Sequence, residues 1–389
     1  MLNTDQNTTI IIDFGLKLTK VGIAKEPEPR KIIKTPDLFN YDNYLNSLNQ
    51  KENLLLYKKS LKEIKLKIEE FIDYIIIYVL QLKKSDMEHL NICLLLIDYN
   101  MKKQFKYLYE QISSSLLSHK EISILRILPK NIFPIFVSGF GSGLIFNGGY
   151  LFSQISVINN GVCIFNKEIP IGISYLEKLF KNMILNDNFG LREILPEDLN
   201  LFKNKLNKYI EDILIKSCVI VNKNISKQLY QDSSKLNGEE NYSLIEGYKD
   251  LFPFKISFIK RILIGEKLFE EKNGNISYEV LNVILNKVPC EIKRKICSNI
   301  ILSGGLCMLF GFYKRFIDEI NDFLNNEEFE RLNKIKNEIK VHKIIFPRNC
   351  LSWIGASIVS NFDNINFESN EIKKDEHDNI NREISSLFE

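Results

Sequence analysis

The sequence has scattered cysteines, few histidines and no long apolar run, so it lacks the patterns typical of disulfide frameworks, metal centres and membrane spans. Its 389 residues include seven cysteines and four histidines, and no two cysteines form a C-x-x-C pair. This scatter argues against a disulfide framework and a zinc site, and favours buried thiols in a reducing compartment. No apolar run reaches membrane-spanning length, and the N-terminus is polar as far as Thr9. We therefore expect a soluble intracellular protein.

The chain has nearly equal numbers of basic and acidic residues. The chain carries 52 basic and 49 acidic residues, a net charge of +3. This is too small an excess to predict nucleic acid or a membrane surface as the partner.

The apolar fraction of 45% supplies a sizeable core, and the length exceeds that of a usual single domain. Two or more domains are therefore expected.

Two segments share one design, a strand that ends in a turn of small residues and returns at once. The first runs from Thr9 to Gly15 (TIIIDFG) and continues as Leu18 to Ala24, which predicts a hairpin. The second (Gly139 to Ile158) turns at Asn147-Gly148-Gly149. Two like hairpins predict two similar α/β lobes whose turns face a common cleft, where backbone N–H groups suit a polyphosphate. Ordinary hairpins in one mixed sheet are the alternative.

A third glycine-marked segment is NIILSGGLCMLFGF, Asn299 to Phe312. A strand through Ile300 to Leu302 is broken by Ser303, Gly304 and Gly305, and a helical pattern of Phe312, Phe316, Ile320 and Phe323 follows. Two glycines where a strand feeds a helix let a ligand approach the backbone. A tight turn without a ligand is the alternative.

These motifs together carry a family resemblance. The segments IIIDFGLKLTKVGIA, NGGY, NIILSGGLCMLFGF and PRNCLSWIGASIVS occur in the order and approximate spacing of the actin family, and the sequence resembles that family over nearly its whole length. The resemblance implies an actin-like (ribonuclease H-like) duplicated α/β fold, in which each of two lobes has a mixed sheet flanked by helices and a cleft lies between them.

The resemblance also implies where the lobes begin and end. The first lobe is expected at residues 1–137 plus 351–389, with a small inserted subdomain at about 35–61. The second lobe is expected at 138–350, with an inserted subdomain at about 174–276.

ATP or ADP with Mg²⁺ is the ligand that the resemblance implies. Asp13 would lie beneath the phosphates and act on Mg²⁺ only through its bound water, and Lys20 would reach the phosphate oxygens as a point charge. A turn-forming carboxylate and a solvated strand lysine are the alternatives for these two residues. The nucleotide-binding residues expected from the resemblance are Asp13, Gly15, Lys20, Gly148, Gly149, Ser303, Gly304 and Gly305. No catalytic residue and no direct metal ligand are expected.

Departures from the family pattern concentrate where hydrolysis takes place. Leu16-Lys17 replaces the small residues of the first turn, Asn147 replaces a carboxylate, and Gln154 replaces a histidine. The family glutamine has no counterpart in Pro129 to Phe136. Hydrolysis needs a positioned water and a group that takes its proton. We therefore expect residual or absent ATPase activity and no enzymatic function.

The contacts that actins make with adenosine are also missing. Leu214 and Ile215 stand where actin has a lysine and a glutamate, and Asn349 stands where actin has a further lysine. Each lost hydrogen bond to a charged group costs roughly 1.5–3 kcal/mol. An empty cleft and a permanently occupied one are both left open.

Within the family, Leu268 to Gly305 is most similar to the actin-related protein 10 subfamily, also called actin-related protein 11, of the dynactin pointed end. That resemblance implies a capping protein of the cytoplasm and cytoskeleton that supports dynein-driven, microtubule-based transport. The implied partners are actin-related protein 1 or an actin filament end and the other pointed-end subunits of dynactin, without nucleic acid or membrane insertion. Tyr41 to Ser60 and Glu270 to Ser277 do not match actin's filament loops, which fits a capping role, and sequence drift in exposed loops is the alternative. The alternatives are an ATPase of the actin and sugar kinase superfamily and a nuclear subunit of a chromatin remodeller.

Overall fold

The computed structural model describes residues 8–36, 66–81, 90–96, 112–117, 122–187, 190–191, 194–231, 242–270, 274–360 and 370–373. The chain divides into two compact units. The first unit contains residues 1–141, 160–162 and 350–389, and the second contains 142–159 and 163–349. Among the described residues no helix combines the length and the apolar character that a membrane crossing requires.

Twelve strands are defined within these ranges. They are β1 (Thr9–Asp13), β2 (Leu18–Ile23), β3 (Lys31–Lys34), β4 (Leu90–Leu96), β5 (Ile122–Pro129), β6 (Gly143–Gly148), β7 (Ser153–Asn159), β8 (Val162–Ile169), β9 (Tyr242–Ile245), β10 (Phe254–Ser257), β11 (Ile300–Ser303) and β12 (Asn370–Lys373).

The α-helices in the same ranges are α1 (Pro134–Val137), α2 (Ile173–Leu185), α3 (Leu199–Ser217), α4 (Lys223–Gln231), α5 (Phe258–Glu266), α6 (Ile276–Lys287), α7 (Cys290–Cys297), α8 (Phe312–Phe323) and α9 (Leu351–Val359). A helix over residues 66–73 continues as a π-helix (Tyr74–Val79), and residues 112–117 are helical. Three 3₁₀ segments are Leu306–Met308, Glu327–Glu338 and Arg348–Cys350.

The first unit is built on a six-stranded mixed sheet in the order β12-β5-β4-β1-β2-β3. Strand β1 pairs in parallel with β4 and antiparallel with β2, and β4 pairs in parallel with β5. The parallel strands have nearly continuous apolar sequences, as expected for strands that are covered on both faces. Their carboxyl ends lie at one edge of the sheet, where Asp13 ends β1.

Helix α9 fixes β1 from one face of this sheet. The buried Trp353 indole N–H donates a hydrogen bond to the Ile11 carbonyl oxygen, at 3.0 Å. Gly355 lets the helix lie against the backbone before α1, because a Cβ there would be 2.0 Å from the Phe133 carbonyl oxygen. The Trp353-Ile354-Gly355 motif therefore helps to hold in place the strand that carries Asp13.

The second unit contains a four-stranded sheet in the order β11-β6-β7-β8 and a separate pair, β9-β10. Strand β6 pairs antiparallel with β7 and in parallel with β11. The predicted apolar stripe of α8 faces the core, and its Phe312 and Phe316 rings lie 6.2 and 6.1 Å from the ring of Phe146 on β6.

The chain changes units at slightly different places from those expected. It leaves the first unit after Gly141, where the boundary was expected after residue 137, and returns at Cys350. Residues 138–141 stay with α1 because the backbone N–H groups of Ser138 and Gly139 bond to carbonyl oxygens within that helix. Residues 160–162 also belong to the first unit, since Gly161 N–H donates to Gly141 O at 2.8 Å.

The expected α/β architecture with two mixed sheets flanked by helices is confirmed. The expectation of buried thiols is wrong for Cys290, which is exposed, and only partly right for Cys163. Four further cysteines are buried and form no disulfide, namely Cys218, Cys297, Cys307 and Cys350. Tyr41 to Ser60 and most of the subdomain expected at 35–61 lie outside the described residues, as do three residues of Glu270 to Ser277.

Candidate functional site

The first turn places one carboxylate between two ammonium groups. Asp13 is 2% exposed and lies opposite Lys20 in the β1–β2 ladder. The Lys20 Nζ is 3.3 Å from Asp13 Oδ2, and the Lys130 Nζ is 3.5 Å from Asp13 Oδ1. Each carboxylate oxygen therefore faces its own ammonium group, and the cluster has a net charge of +1.

Lys130 was not identified from the sequence. It follows directly after β5, and β1, β4 and β5 run in parallel, so their carboxyl ends meet at the edge where ligands bind in open α/β sheets. Its position was the one clue in the sequence, because Lys130 is a charged residue directly after a buried strand. Lys130 lies in the segment where the family glutamine has no counterpart.

The charges in this cluster shift one another's protonation. Burial alone would raise the pKa of Asp13, but the Lys130 and Lys20 ammonium groups outweigh it and hold that pKa below its usual value. The pKa of Lys130 is also lowered, because burial disfavours its charged form and Asp13 offsets this only in part. Asp13 is thus ionised and engaged, which makes it unsuitable as a proton acceptor.

Threonine side chains close the first turn. The Thr35 hydroxyl donates to the Gly15 carbonyl oxygen at 2.8 Å and lies 2.8 Å from the Thr19 hydroxyl. The Thr35 backbone N–H donates to Lys17 O at 2.9 Å. A Cβ on Gly15 would be 2.4 Å from Leu18 O, so only glycine fits this conformation. Thr35, the residue that follows β3, thereby fixes the turn that contains Leu16-Lys17.

The second turn repeats the geometry of the first. Asn147 pairs with Gln154 across β6–β7, as Asp13 pairs with Lys20 across β1–β2, and both pairs are seven residues apart. Gly149 follows Asn147 by two residues, as Gly15 follows Asp13, and its Cβ would be 2.6 Å from Phe152 O. The internal duplication predicted from the sequence extends to this detail of register.

Backbone donors are available at the second turn. Gly149 N–H closes the turn by donating to Phe152 O at 3.1 Å. Within the described parts of the chain, the N–H groups of Leu151 and Phe152 make no hydrogen bond with protein atoms. Successive free N–H groups in a tight turn form a concave site for anions.

The start of α2 supports this turn from behind. Ile173 N–H donates to Gly149 O at 3.2 Å, and Ser174 N–H donates to Tyr150 O at 2.8 Å. The Tyr150 hydroxyl donates to Glu177 at 2.9 Å, and the Ser153 hydroxyl donates to a carbonyl oxygen ahead of α2 at 2.6 Å. The turn is therefore held in one conformation by both backbone and side chains.

The Ser-Gly-Gly segment joins the second turn. Ser303 ends β11 opposite Asn147, and the next residue, Gly304, has a φ of +90°. A Cβ on Gly304 would be 2.3 Å from the Gly148 carbonyl oxygen and 2.6 Å from the Asn147 Oδ1. The protein's own backbone thus fills the space beside Gly304, whereas a Cβ on Gly305 would come no closer than 3.4 Å to Ile173.

The eight expected binding residues form two groups. Asp13, Gly15 and Lys20 lie together in the first unit. Gly148, Gly149, Ser303, Gly304 and Gly305 lie together in the second. That the two turns face a common cleft stays a prediction. On α3, Leu214 is fully buried in the core and Ile215 is half exposed, so neither supplies a polar contact.

Comparison with known proteins agrees with the resemblance in the sequence. A sequence model of the actin family matches residues 4–384. The chain is 27% identical to putative actin-29 of Dictyostelium discoideum, covering 97% of this chain and 96% of that protein. It is 24% identical to actin-related protein 10 of the same organism (92% and 83% covered) and 24% identical to centractin of Saccharomyces cerevisiae (64% and 61% covered). The chain belongs to the actin family.

Proposed function

We propose that this chain is a non-hydrolysing actin-related protein that caps the pointed end of an actin-like filament. The observation that carries the loss of hydrolysis is the Asn147–Gln154 pair, two amides opposite each other beside the second turn. An amide can orient a water molecule by hydrogen bonding, but it cannot take a proton from it. At the first turn, Asp13 is engaged by two ammonium groups and cannot act as the base.

The capping role rests on similarity and on symmetry. Actin-related protein 10 is among the relatives that the chain matches over most of its length. Filaments of actin-like subunits grow through head-to-tail contacts that never close, so a terminal subunit must keep one face and lose the other. We infer that the partners are the end of an actin-related protein 1 or actin filament and the other pointed-end subunits of dynactin. The proposed location is the cytoplasm and cytoskeleton, in dynein-driven transport.

A nucleotide is proposed to stay in the protein as a structural ligand. The free N–H groups of Leu151 and Phe152 suit phosphate oxygens, and Lys20 brings a positive charge to the first turn. Actin-family proteins typically hold ATP or ADP with Mg²⁺. Because neither Asp13 nor the Asn147–Gln154 pair can take a proton from water, a bound nucleotide would strengthen the fold without being consumed.

Filament elongation provides the direct test of capping. Added in small amounts to a growing filament of actin-related protein 1 or actin, the chain is expected to slow subunit exchange at the pointed end alone. Alone and concentrated, it is expected not to polymerise, as followed by light scattering. Long homopolymers, or equal inhibition at both ends, would contradict the proposal. Recovery of the endogenous complex distinguishes dynactin from a nuclear chromatin remodeller.

ATP turnover is expected to stay at a slow background. Phosphate release should not rise in the double variant Asn147→Asp plus Gln154→His, because Leu16-Lys17 still occupies the first turn and Lys130 still engages Asp13. Filament-forming actin serves as the positive control. Steady-state hydrolysis by the natural chain at the rate of that control would show that it is an ATPase.

A further inference from the structure

The Asp13 cluster is arranged unlike a carboxylate that holds a hydrated metal ion. Both oxygens of Asp13 face ammonium groups, at 3.3 Å from Lys20 and 3.5 Å from Lys130. All three side chains are largely buried, with exposed fractions of 2% for Asp13, 11% for Lys20 and 12% for Lys130. Solvent therefore screens these charges poorly.

Mg²⁺ does not fit this arrangement. The ion takes oxygen ligands in an octahedron and keeps several bound waters, which a carboxylate orients by accepting hydrogen bonds. Here those acceptor positions are taken by the two lysines, and a divalent cation beside Asp13 would be repelled by both. Across the described ranges, no group of three or more His, Cys, Asp or Glu side chains could hold a metal ion.

The same arrangement suits an anion. Each lysine ammonium group has three N–H donors. Its contact with Asp13 uses one of them, and the remaining N–H groups can donate to phosphate oxygens. The cluster has one positive charge in excess, at the carboxyl end of parallel strands where ligands bind in such sheets. Lys130 brings to this place the charge that a metal ion would otherwise bring.

We propose that the first turn binds the phosphate chain of a nucleoside di- or triphosphate without a divalent cation, with Lys130 as the group that replaces the metal's charge. This rests on the proposed retention of nucleotide and adds that retention is independent of Mg²⁺. Lys20 and Lys130 both bind the phosphates directly, and Asp13 keeps the two ammonium groups in position.

Calorimetric titration of the full chain tests this proposal. Protein stripped of nucleotide and metal is titrated with ATP in excess EDTA and, separately, in excess Mg²⁺. The affinities are expected to agree within about threefold. Lys130→Met should weaken ATP binding in EDTA by about tenfold or more, the effect of one lost charge-assisted hydrogen bond. The control Lys167→Met, which removes an ion pair with Glu279 in the second unit, should leave binding unchanged.

A third titration, with inorganic pyrophosphate in EDTA, distinguishes a nucleotide from a free phosphate chain. Pyrophosphate is expected to bind at least tenfold more weakly than ATP, and equal binding would overturn the assignment to a nucleotide. If circular dichroism shows that Lys130→Met does not fold, the comparison of the natural chain in EDTA and in Mg²⁺ still tests whether ATP binding is independent of the metal.

The proposal is overturned if the natural chain binds no ATP in EDTA, if chelation weakens binding more than tenfold, or if folded Lys130→Met binds like the natural chain. Capping is measured separately in the elongation assay. A chain that caps filaments but needs Mg²⁺ for ATP would overturn this inference alone.

Discussion

Replacing Asp13 with asparagine is expected to lower the free energy of unfolding by about 3–5 kcal/mol, because two buried ammonium groups lose their counter-charge. The fluorescence of a natural tryptophan reports on this unfolding. Trp353 is its single tryptophan and is buried against β1, so its fluorescence during urea unfolding follows the first unit. Adding Lys130→Met to Asp13→Asn should restore part of the loss, since it removes one of the stranded charges.

Glu26→Gln is the matched control in the same unit. Glu26 pairs with Arg30 at 2.7 Å, but their side chains are 29% and 40% exposed. Pairs of this kind contribute about 0–1 kcal/mol. If Asp13→Asn cost no more than Glu26→Gln, the lysines of the cluster would be solvated, and the site would lack the charge arrangement described above.

Gly304→Ala is expected to destabilise the second unit by at least about 3 kcal/mol, from backbone strain at positive φ plus the overlap of its Cβ with Gly148. The Cβ would lie 2.3 Å from a backbone oxygen, which cannot move without displacing β6. Circular dichroism in urea measures the loss. The phosphate contacts that we propose for the second turn should weaken as well, because Gly148 and Gly149 form part of that turn.

Gly247→Ala separates the two causes. Gly247 has a φ of +85°, nearly that of Gly304, but nothing lies within 4 Å of the position its Cβ would take. This variant should lose only the backbone term, about 1–2 kcal/mol. Equal losses in the two variants would show that the β11 turn relaxes freely and that the close approach to Gly148 carries no cost.

The two hairpins could be predicted from the sequence, because each has two apolar runs joined by a tight turn, whereas the pairing of Asp13 with Lys20 was found only in the structure. Strands β3 and β8 were not predicted. Both lie at sheet edges, where lysines and other polar residues interrupt the apolar pattern and also discourage pairing with other chains.

Contacts between segments that are distant along the chain could not be predicted from local sequence patterns. Lys130 is 117 residues from Asp13 along the chain, and only the parallel pairing of β1, β4 and β5 brings them together. The sequence predicts glycine at position 304, either for the approach of a ligand or for a tight turn. The neighbour is instead the carbonyl oxygen of Gly148, which no local pattern identifies.

The position of α9 has a consequence for how the protein is made on the ribosome. Strand β1 emerges before the second unit, yet the helix that bonds to Ile11 through Trp353 emerges only after that unit. At synthesis rates of 5–20 residues per second, the delay after Gly141 is roughly 10–40 s. During that time the second unit can fold as a nearly continuous segment, while β1 lacks its covering helix. The nascent first unit is therefore the part that needs protection from aggregation until α9 has emerged.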